Sequence, residues 1–172
     1  MTHSEALPSI ASLDALDRAH LIHPVSSWRT HERRGPTVLQ SGRGAWLTDA
    51  RGNELLDAFA GLWCVNVGYG QEALVQAATT QLRQLPFYNA FFQTATMPAI
   101  ALAEKLAEVS PPQFQHVFFS GSGSEGNDTV VRMVRRYWDL LGQPARQVII
   151  SRHNAYHGST MAGASLGGMA GM

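Results

Sequence analysis

Glycine and serine residues cluster directly after the apolar run 117–119, and their spacing suits the binding of an anion. The apolar run has the length of a short buried strand, and an amphipathic helix pattern follows the cluster. Ser122 and Glu125 have the spacing of a capping box, which predicts that a helix begins at Ser122. The backbone N–H groups of Gly123 and Ser124 would then lack helical partners at the positive end of the helix dipole. The sequence therefore predicts a phosphate site.

The identity of the phosphate stays open on these residues alone. Gly121, Gly123 and Gly126 also fit the G-x-G-x-x-G pattern of dinucleotide-binding folds. That pattern expects an acidic residue after the next strand, but the predicted strand 147–150 is followed by Ser-Arg. Since Arg152 would suit the 2′-phosphate of NADP, an NADP-binding oxidoreductase fragment is one alternative. A strand-to-helix turn that binds no ligand is another.

An aromatic residue follows the second predicted strand. The carboxyl ends of neighbouring parallel strands open onto one crevice, where ligands bind. We therefore expect Tyr156, after strand 147–151, to face the same space as the turn after strand 117–119. A phosphate seat beside an aromatic face fits a phosphorylated heteroaromatic such as pyridoxal 5′-phosphate (PLP).

The elements that must position these residues indicate an α/β fold. Helices alternating with apolar strands after residue 71 predict a mainly parallel sheet, preceded by a small antiparallel meander. A sheet of only two parallel strands cannot bury both of its faces, so we expect this chain to be the first part of a larger domain. The apolar stripe of each helix is expected to be buried, and residues 60–70 to form a buried loop or pocket wall. The predicted segments are helix 9–20, polar loop 26–34, strands 37–40, 45–48 and 54–57, helices 71–85 and 96–109, strand 117–119, helix 122–141, strand 147–151 and a helix after 160.

Composition excludes several classes of function. Lys and Arg number 13 and Asp and Glu number 13, so no overall charge attracts nucleic acid or an anionic membrane. Cys64 is the only cysteine, which favours a reducing compartment. The N-terminus has no apolar signal-peptide core, and no apolar run has the roughly 20 residues of a membrane helix. These features predict a cytoplasmic protein.

Two further motifs are weaker. His153 and His157 have the spacing of a helical metal-ligand pair, but they follow a strand and no third ligand is near in sequence. Gly163, Ser165 and Gly167 match G-x-S-x-G, yet the residues before Ser165 predict the start of a helix and not the strand of a nucleophile elbow. We predict neither a metal site nor a hydrolase.

Four motifs, in the same order, resemble class III aminotransferases, with the omega-amine or polyamine:pyruvate transaminases as the most similar branch. The resemblance implies the aspartate aminotransferase-like fold type I of PLP enzymes. Residues 1–70 would be the N-terminal segment of the small domain, and 71–172 the first part of the large PLP-binding domain. The motifs are 61–70 (GLWCVNVGYG), 85–89 (LPFYN), 118–128 (FFSGSGSEGND) and 156–160 (YHGST).

The same resemblance assigns roles to individual residues. It implies PLP as the cofactor, an amine and a keto acid as small-molecule substrates, and a homodimer in the full-length parent. Phe91 and Phe92 would project toward the partner subunit's site. The implied cofactor ligands are Ser122, Gly123, Ser124 and Tyr156, and the implied substrate-pocket residues are Trp63, Phe91 and Phe92.

A transaminase also needs a Schiff-base lysine and a carboxylate at the pyridine nitrogen. Lys105 is the only lysine in the chain, and it lies between Glu104 and Glu108 on the predicted outer face of a helix. We therefore assign no catalytic residue to these 172 residues and predict that the chain alone is inactive. A non-catalytic remnant that binds a phosphate ligand or a partner subunit remains the alternative.

Overall fold

The computed structural model describes residues 9–170, which fall into two compact units that meet in sequence between Tyr88 and Asn89. The predicted domain boundary after residue 70 stays a prediction. The first unit contains helices α1 (Ile10–His20) and α2 (Trp28–Arg34), strands β1 (Leu39–Arg43), β2 (Trp46–Asp49) and β3 (Glu54–Leu56), the turn α3 (Ala60–Trp63) and helix α4 (Glu72–Gln84). The second unit contains helices α5 (Met97–Val109), α6 (Gly123–Leu140) and α7 (Met161–Leu166).

The three strands form an antiparallel sheet in the order β1-β2-β3, which confirms the predicted meander. Its second turn is closed by Asp49, whose carboxylate accepts hydrogen bonds from the backbone N–H groups of Arg51 at 2.9 Å and Asn53 at 2.8 Å. The Asn53 side-chain amide donates to the same carboxylate and lowers the pKa of Asp49. An aspartate that bonds its own turn is a local signal, so the strand positions were readable from sequence.

Helix α2 corrects the predicted polar loop at residues 26–34. Its seven residues carry no apolar stripe, so periodicity gave no signal for a helix. Local chemistry supports it instead, because Arg33 and Arg34 occupy the last turn, where the helix dipole favours positive charge. Gly35, with φ +69°, ends the helix in a conformation that glycine adopts without strain.

The turn α3 is left-handed. Ala60, Gly61, Leu62 and Trp63 have φ values of 47°, 57°, 64° and 64°, in a region that costs a non-glycine residue about 1–2 kcal/mol. Backbone hydrogen bonds from Trp63 to Phe59 (3.0 Å) and from Cys64 to Ala60 (2.8 Å) hold it. Trp63 is 76% exposed, so the prediction of a buried loop at 60–70 is wrong within the described chain, while the alternative of a pocket wall stays a prediction.

Burial is where prediction and structure differ most. Among the described residues no apolar side chain is buried, and the stripes of α4 to α6 face outward. Residues 117–119 and 147–151, predicted as buried strands, pair with no described segment, and Ile150 is 92% exposed. A strand requires hydrogen-bonded neighbours and a covering layer, and no element in residues 9–170 supplies either.

Candidate phosphate site

The turn before α6 forms the predicted capping box. Ser122 is the N-cap, and its hydroxyl accepts a hydrogen bond from the backbone N–H of Glu125 at 3.2 Å. The Glu125 carboxylate reaches back and accepts from the N–H of Gly121 at 2.9 Å, one residue before the position expected for this motif. Ser120 donates its hydroxyl to the Ser122 carbonyl at 3.0 Å. Three side chains therefore fix the turn before any ligand binds.

The amides next to the cap are free to meet an anion. The first backbone bond of α6 runs from Gly126 to the Ser122 carbonyl, at 3.0 Å. Within residues 9–170, the N–H groups of Gly123 and Ser124 have no hydrogen-bond partner. A Cβ added at Gly123 would meet no atom within 4 Å, so this residue borders open space. The sequence-predicted seat of Ser122, Gly123 and Ser124 thus has the donors and the room that a phosphate requires.

A loop that lies much later in the sequence of the same unit packs against this turn. The hydroxyl of Ser124 accepts from the backbone N–H of Ser159 at 3.2 Å, and the Ser124 carbonyl accepts from the Thr160 hydroxyl at 3.1 Å. Asn127 donates its side-chain amide to the His157 carbonyl at 2.6 Å. These bonds join residues 30 to 36 positions apart, and they fasten loop 157–160 to the start of α6.

Gly158 allows the two segments to come this close. Its φ is +123°, and a Cβ built there would lie 2.6 Å from the hydroxyl oxygen of Ser124 and 2.8 Å from its Cα. Contacts below 3.0 Å essentially never occur for a real Cβ. Both the backbone angle and the close approach therefore require glycine at this position.

Asp128 anchors the other end of this loop to α6. Its carboxylate accepts from the Thr160 hydroxyl at 2.6 Å and from the Gly163 backbone N–H at 3.0 Å. The Thr160 hydroxyl is the main cause of a lowered Asp128 pKa, and the Gly163 amide adds to it. Asp128 therefore stays ionised and ties α7 to α6, a role that the sequence analysis did not assign.

This contact predicts a specific pH dependence. Because the folded state lowers the Asp128 pKa below the ordinary 3.8, the contact is complete above that value and is lost as pH falls through the lowered one. We expect the Gly163 amide resonance in an NMR titration to report this low pKa, and Asp128→Asn to abolish the transition. A transition at or above the ordinary aspartate value would contradict the prediction.

Tyr156 lies on the same loop, two residues before Gly158. Its ring is 59% exposed, so a face is available for a flat ligand. Phe91 and Phe92 lie in the loop before α5, with ring centroids 6.2 Å apart and exposures of 72% and 94%. Trp63 belongs to the other unit. The structure thus brings the loop of Tyr156 to the phosphate seat, while the pocket roles of the remaining aromatics stay predictions.

Asp57 holds the left-handed turn that carries Trp63. Its carboxylate accepts from the Tyr69 hydroxyl at 2.6 Å and from the Gly61 backbone N–H at 2.8 Å. The Tyr69 hydroxyl is the main cause of a lowered Asp57 pKa, and Asp57 in turn raises the pKa of Tyr69 above the ordinary 10.0. A short polar contact therefore offsets part of the cost of the left-handed backbone.

Asp57→Asn should return the Tyr69 pKa toward 10.0, because the variant removes the charge that opposes phenolate formation. NMR of ring-labelled tyrosine checks this, with Tyr69→Phe to assign the signal. Fluorescence quenching should also find Trp63 more mobile in Asp57→Asn. An unchanged Tyr69 titration would show that Asp57 does not act on it.

The structure also places the residues of the two weaker motifs. Ser165 lies inside α7, and its hydroxyl donates to the Met161 carbonyl at 2.7 Å, so it is no nucleophile elbow. Among the described residues, His153 and His157 form no cluster with a third metal-binding side chain. No described helix has the length and apolarity needed to cross a membrane.

The sequence predicted the candidate phosphate site at residues 122–124, but it did not predict the side chains that hold the neighbouring loop against it. Asn127 and Asp128 stood in a quoted motif, yet their partners lie some 30 residues later, and no periodicity links such positions. An Asn-Asp pair in the first turns of a helix, followed by a Gly-Ser-Thr loop, was the available signal. Side chains that bond across that distance are assigned only once the fold is known.

Comparisons with known proteins agree with these observations. The family model described as "Aminotransferase class-III" matches residues 29–172. The chain is 56% identical to the putrescine–pyruvate aminotransferase of Pseudomonas aeruginosa over 155 residues, covering 90% of this chain and 34% of that protein. It is 40% identical to the beta-alanine–pyruvate aminotransferase of the same organism over 154 residues, with 90% and 34% covered. The chain thus spans about a third of the length of these relatives.

Solved structures show the same backbone. A thermostable (S)-enantioselective omega-transaminase from Thermomicrobium roseum superposes with a TM-score of 0.91 at 43% identity, covering 94% of this chain and 36% of that one. An omega-transaminase from Pseudomonas jessenii, solved in complex with PMP, gives 0.87 at 43% identity, with 91% and 34% covered. These matches confirm the predicted α/β fold class, fold type I of PLP enzymes, for this N-terminal part. The chain belongs to the class III aminotransferases.

Proposed function

We propose that this chain supplies the phosphate- and ring-binding part of a PLP-dependent aminotransferase that moves an amino group from an amine to pyruvate or a similar keto acid. The observation that carries the proposal is the α6 N-terminus, where two amides without a hydrogen-bond partner lie beside the loop of Tyr156. Membership of a PLP-dependent family supports the same assignment.

Each residue of the site then has a limited task. The Gly123 and Ser124 amides and the Ser122 hydroxyl hold the cofactor phosphate, and the helix dipole adds to the attraction. Tyr156 stacks on the ring and fixes its plane. When bound, PLP supplies the electron sink that makes transamination possible. Asn127 and Asp128 keep the loop of Tyr156 against the seat and do not touch the reacting atoms.

For the substrates, we propose a diamine or polyamine as the amino donor. The relative that acts on putrescine is 56% identical, against 40% for the one named for beta-alanine. Trp63, taken by itself, is large, exposed and uncharged, which suits a substrate-pocket residue. Phe91 and Phe92 have the same properties, which suit the proposed homodimer contact. The cytoplasm remains the proposed location.

The phosphate seat can be tested without covalent chemistry. Pyridoxamine 5′-phosphate (PMP) has no aldehyde and therefore cannot react with Lys105. We expect fluorescence titration to show PMP binding at least about tenfold more tightly than pyridoxamine, since only PMP carries the phosphate. NADPH serves as a parallel ligand and should not compete with PMP.

The outcomes separate the possible readings. Equal binding of PMP and pyridoxamine would reject a phosphate seat, and preferential binding of NADPH would favour the dinucleotide alternative. If PMP binds here but the chain cannot replace the matching segment of the putrescine–pyruvate aminotransferase, a phosphate-binding remnant is the better description.

A further inference from the structure

Three potential metal ligands meet in the first unit, in a place that the aminotransferase site does not use. The His23 Nε2 lies 2.9 Å from Asp17 Oδ2, and the His31 Nε2 lies 2.9 Å from Asp17 Oδ1. One ligand atom from each residue lies within 4.8 Å of both others. The His23 and His31 ring centroids are 4.5 Å apart. The carboxylate thus stands between two imidazoles.

The hydrogen bonding of this cluster is incomplete. The His23 contact is a hydrogen bond, but the 2.9 Å contact of His31 with Asp17 does not have hydrogen-bond geometry. His31 Nε2 and Asp17 Oδ1 are buried and have no hydrogen-bond partner. The His31 side chain is only 8% exposed. Because a buried polar atom without a hydrogen-bond partner destabilises the fold, this pair calls for a ligand that satisfies both atoms.

We propose that Asp17, His23 and His31 bind one Zn²⁺ ion. Two imidazoles and a carboxylate form a donor set that zinc accepts, with water completing a tetrahedron. Zinc lies about 2.0–2.2 Å from such atoms, which places tetrahedral ligands about 3.4 Å apart. The two 2.9 Å contacts would therefore widen by about half an ångström. Rotation of His23 can widen the first contact, and rotation of the Asp17 carboxylate the second.

The guanidinium group next to the cluster already has a carboxylate partner. The nearby guanidinium of Arg18 is paired with Asp14, at 3.0 Å between Nε and Oδ2. The same guanidinium donates to the backbone carbonyls of His31 and Glu32 and so holds α2 against α1. The framework around the cluster is thus fixed by bonds that do not involve the side chains of the three ligands.

The three ligands come from separate parts of the backbone. Asp17 lies on α1, His23 lies in the connection after it, and His31 lies on α2. A metal ion would therefore cross-link two helices that share no buried apolar side chain. Metal binding then stabilises this part of the fold directly, as it does in small zinc domains.

Untagged protein carrying Cys64→Ser provides the test, because this exposed thiol is another possible zinc ligand. We expect equilibrium dialysis against zinc chloride to give one bound equivalent, with a dissociation constant below about 10 µM. Cobalt chloride should produce the visible absorption of tetrahedral Co²⁺. His31→Gln and Asp17→Asn should each weaken zinc binding at least about tenfold.

Two further variants keep the test decisive. His23→Gln alters a side chain that is 31% exposed, so it should disturb the fold less than a substitution at His31, which is 8% exposed. His20→Gln is the matched control, because His20 is an exposed histidine on α1 outside the cluster. Less than about one fifth of an equivalent of zinc, or unchanged affinity in His23→Gln, would overturn the proposal. An equal loss in His20→Gln would do the same.

Discussion

The Gly158→Ala variant is expected to lose PMP binding by at least about tenfold, or 1.4 kcal/mol. The added Cβ would lie 2.6–2.8 Å from three atoms of Ser124, including its backbone Cα. Neither the helix start nor the loop can move without breaking the bonds from Ser159 and Thr160 to Ser124. The residue also needs φ +123°, which alanine adopts at a cost.

Gly142→Ala is the matched control for this variant. Gly142 also has a positive φ, +69°, but a Cβ there would meet no atom within 4 Å. It therefore carries the backbone strain without the collision. We expect fluorescence titration to show unchanged PMP affinity in Gly142→Ala. Equal affinity in both variants would show that the contact between loop and turn does not shape the site.

The second large effect is expected in catalysis. The 172-residue chain should transfer no amino group from putrescine to pyruvate. Its only lysine, Lys105, is 68% exposed at the side chain and pairs with Glu108 at 2.5 Å on the surface of α5. A solvated ammonium held by a carboxylate forms imines poorly, and no second lysine is present to carry out covalent or proton-transfer steps.

Grafting supplies the comparison for this result. When residues 29–172 replace the matching segment of the putrescine–pyruvate aminotransferase of Pseudomonas aeruginosa, we expect activity to return. Alanine formation from pyruvate measures it in both proteins. Borohydride treatment of the isolated chain with PLP, followed by peptide mapping, provides an independent check. A specific, stoichiometric adduct on Lys105 would refute the prediction of inactivity.

Local signals explain what the sequence could reveal. The N-cap at Ser122 and its box with Glu125 are three residues apart, so the seat was predictable within the window that a helix cap occupies. The meander was predictable for the same reason, because Asp49 and Asn53 lie in one turn. Four motifs in the same order, at 61–70, 85–89, 118–128 and 156–160, then identified the chain as resembling class III aminotransferases.

Features that depend on distant residues were not predictable. The hydrogen bond between Asp128 and Thr160 joins residues that are 32 positions apart in sequence. The contact between Asp17 and His31 likewise joins two different helices. Helix α2 was missed because it has no apolar stripe. The predicted burial of the apolar helix stripes was wrong for a different reason. An apolar pattern shows which face of a helix prefers to be covered, but it does not show which element covers that face.

The absence of a buried apolar side chain in residues 9–170 also fixes how this chain should respond to temperature. Unfolding it would expose less new apolar surface than the unfolding of a compact domain, so its heat-capacity increment should fall below the usual value of about 12–15 cal/mol/K per residue. Calorimetry should then show a broad, shallow transition. Any surface that covers the outward stripes of α4 to α6 would bind with a large negative heat-capacity change, weakening as the solution cools.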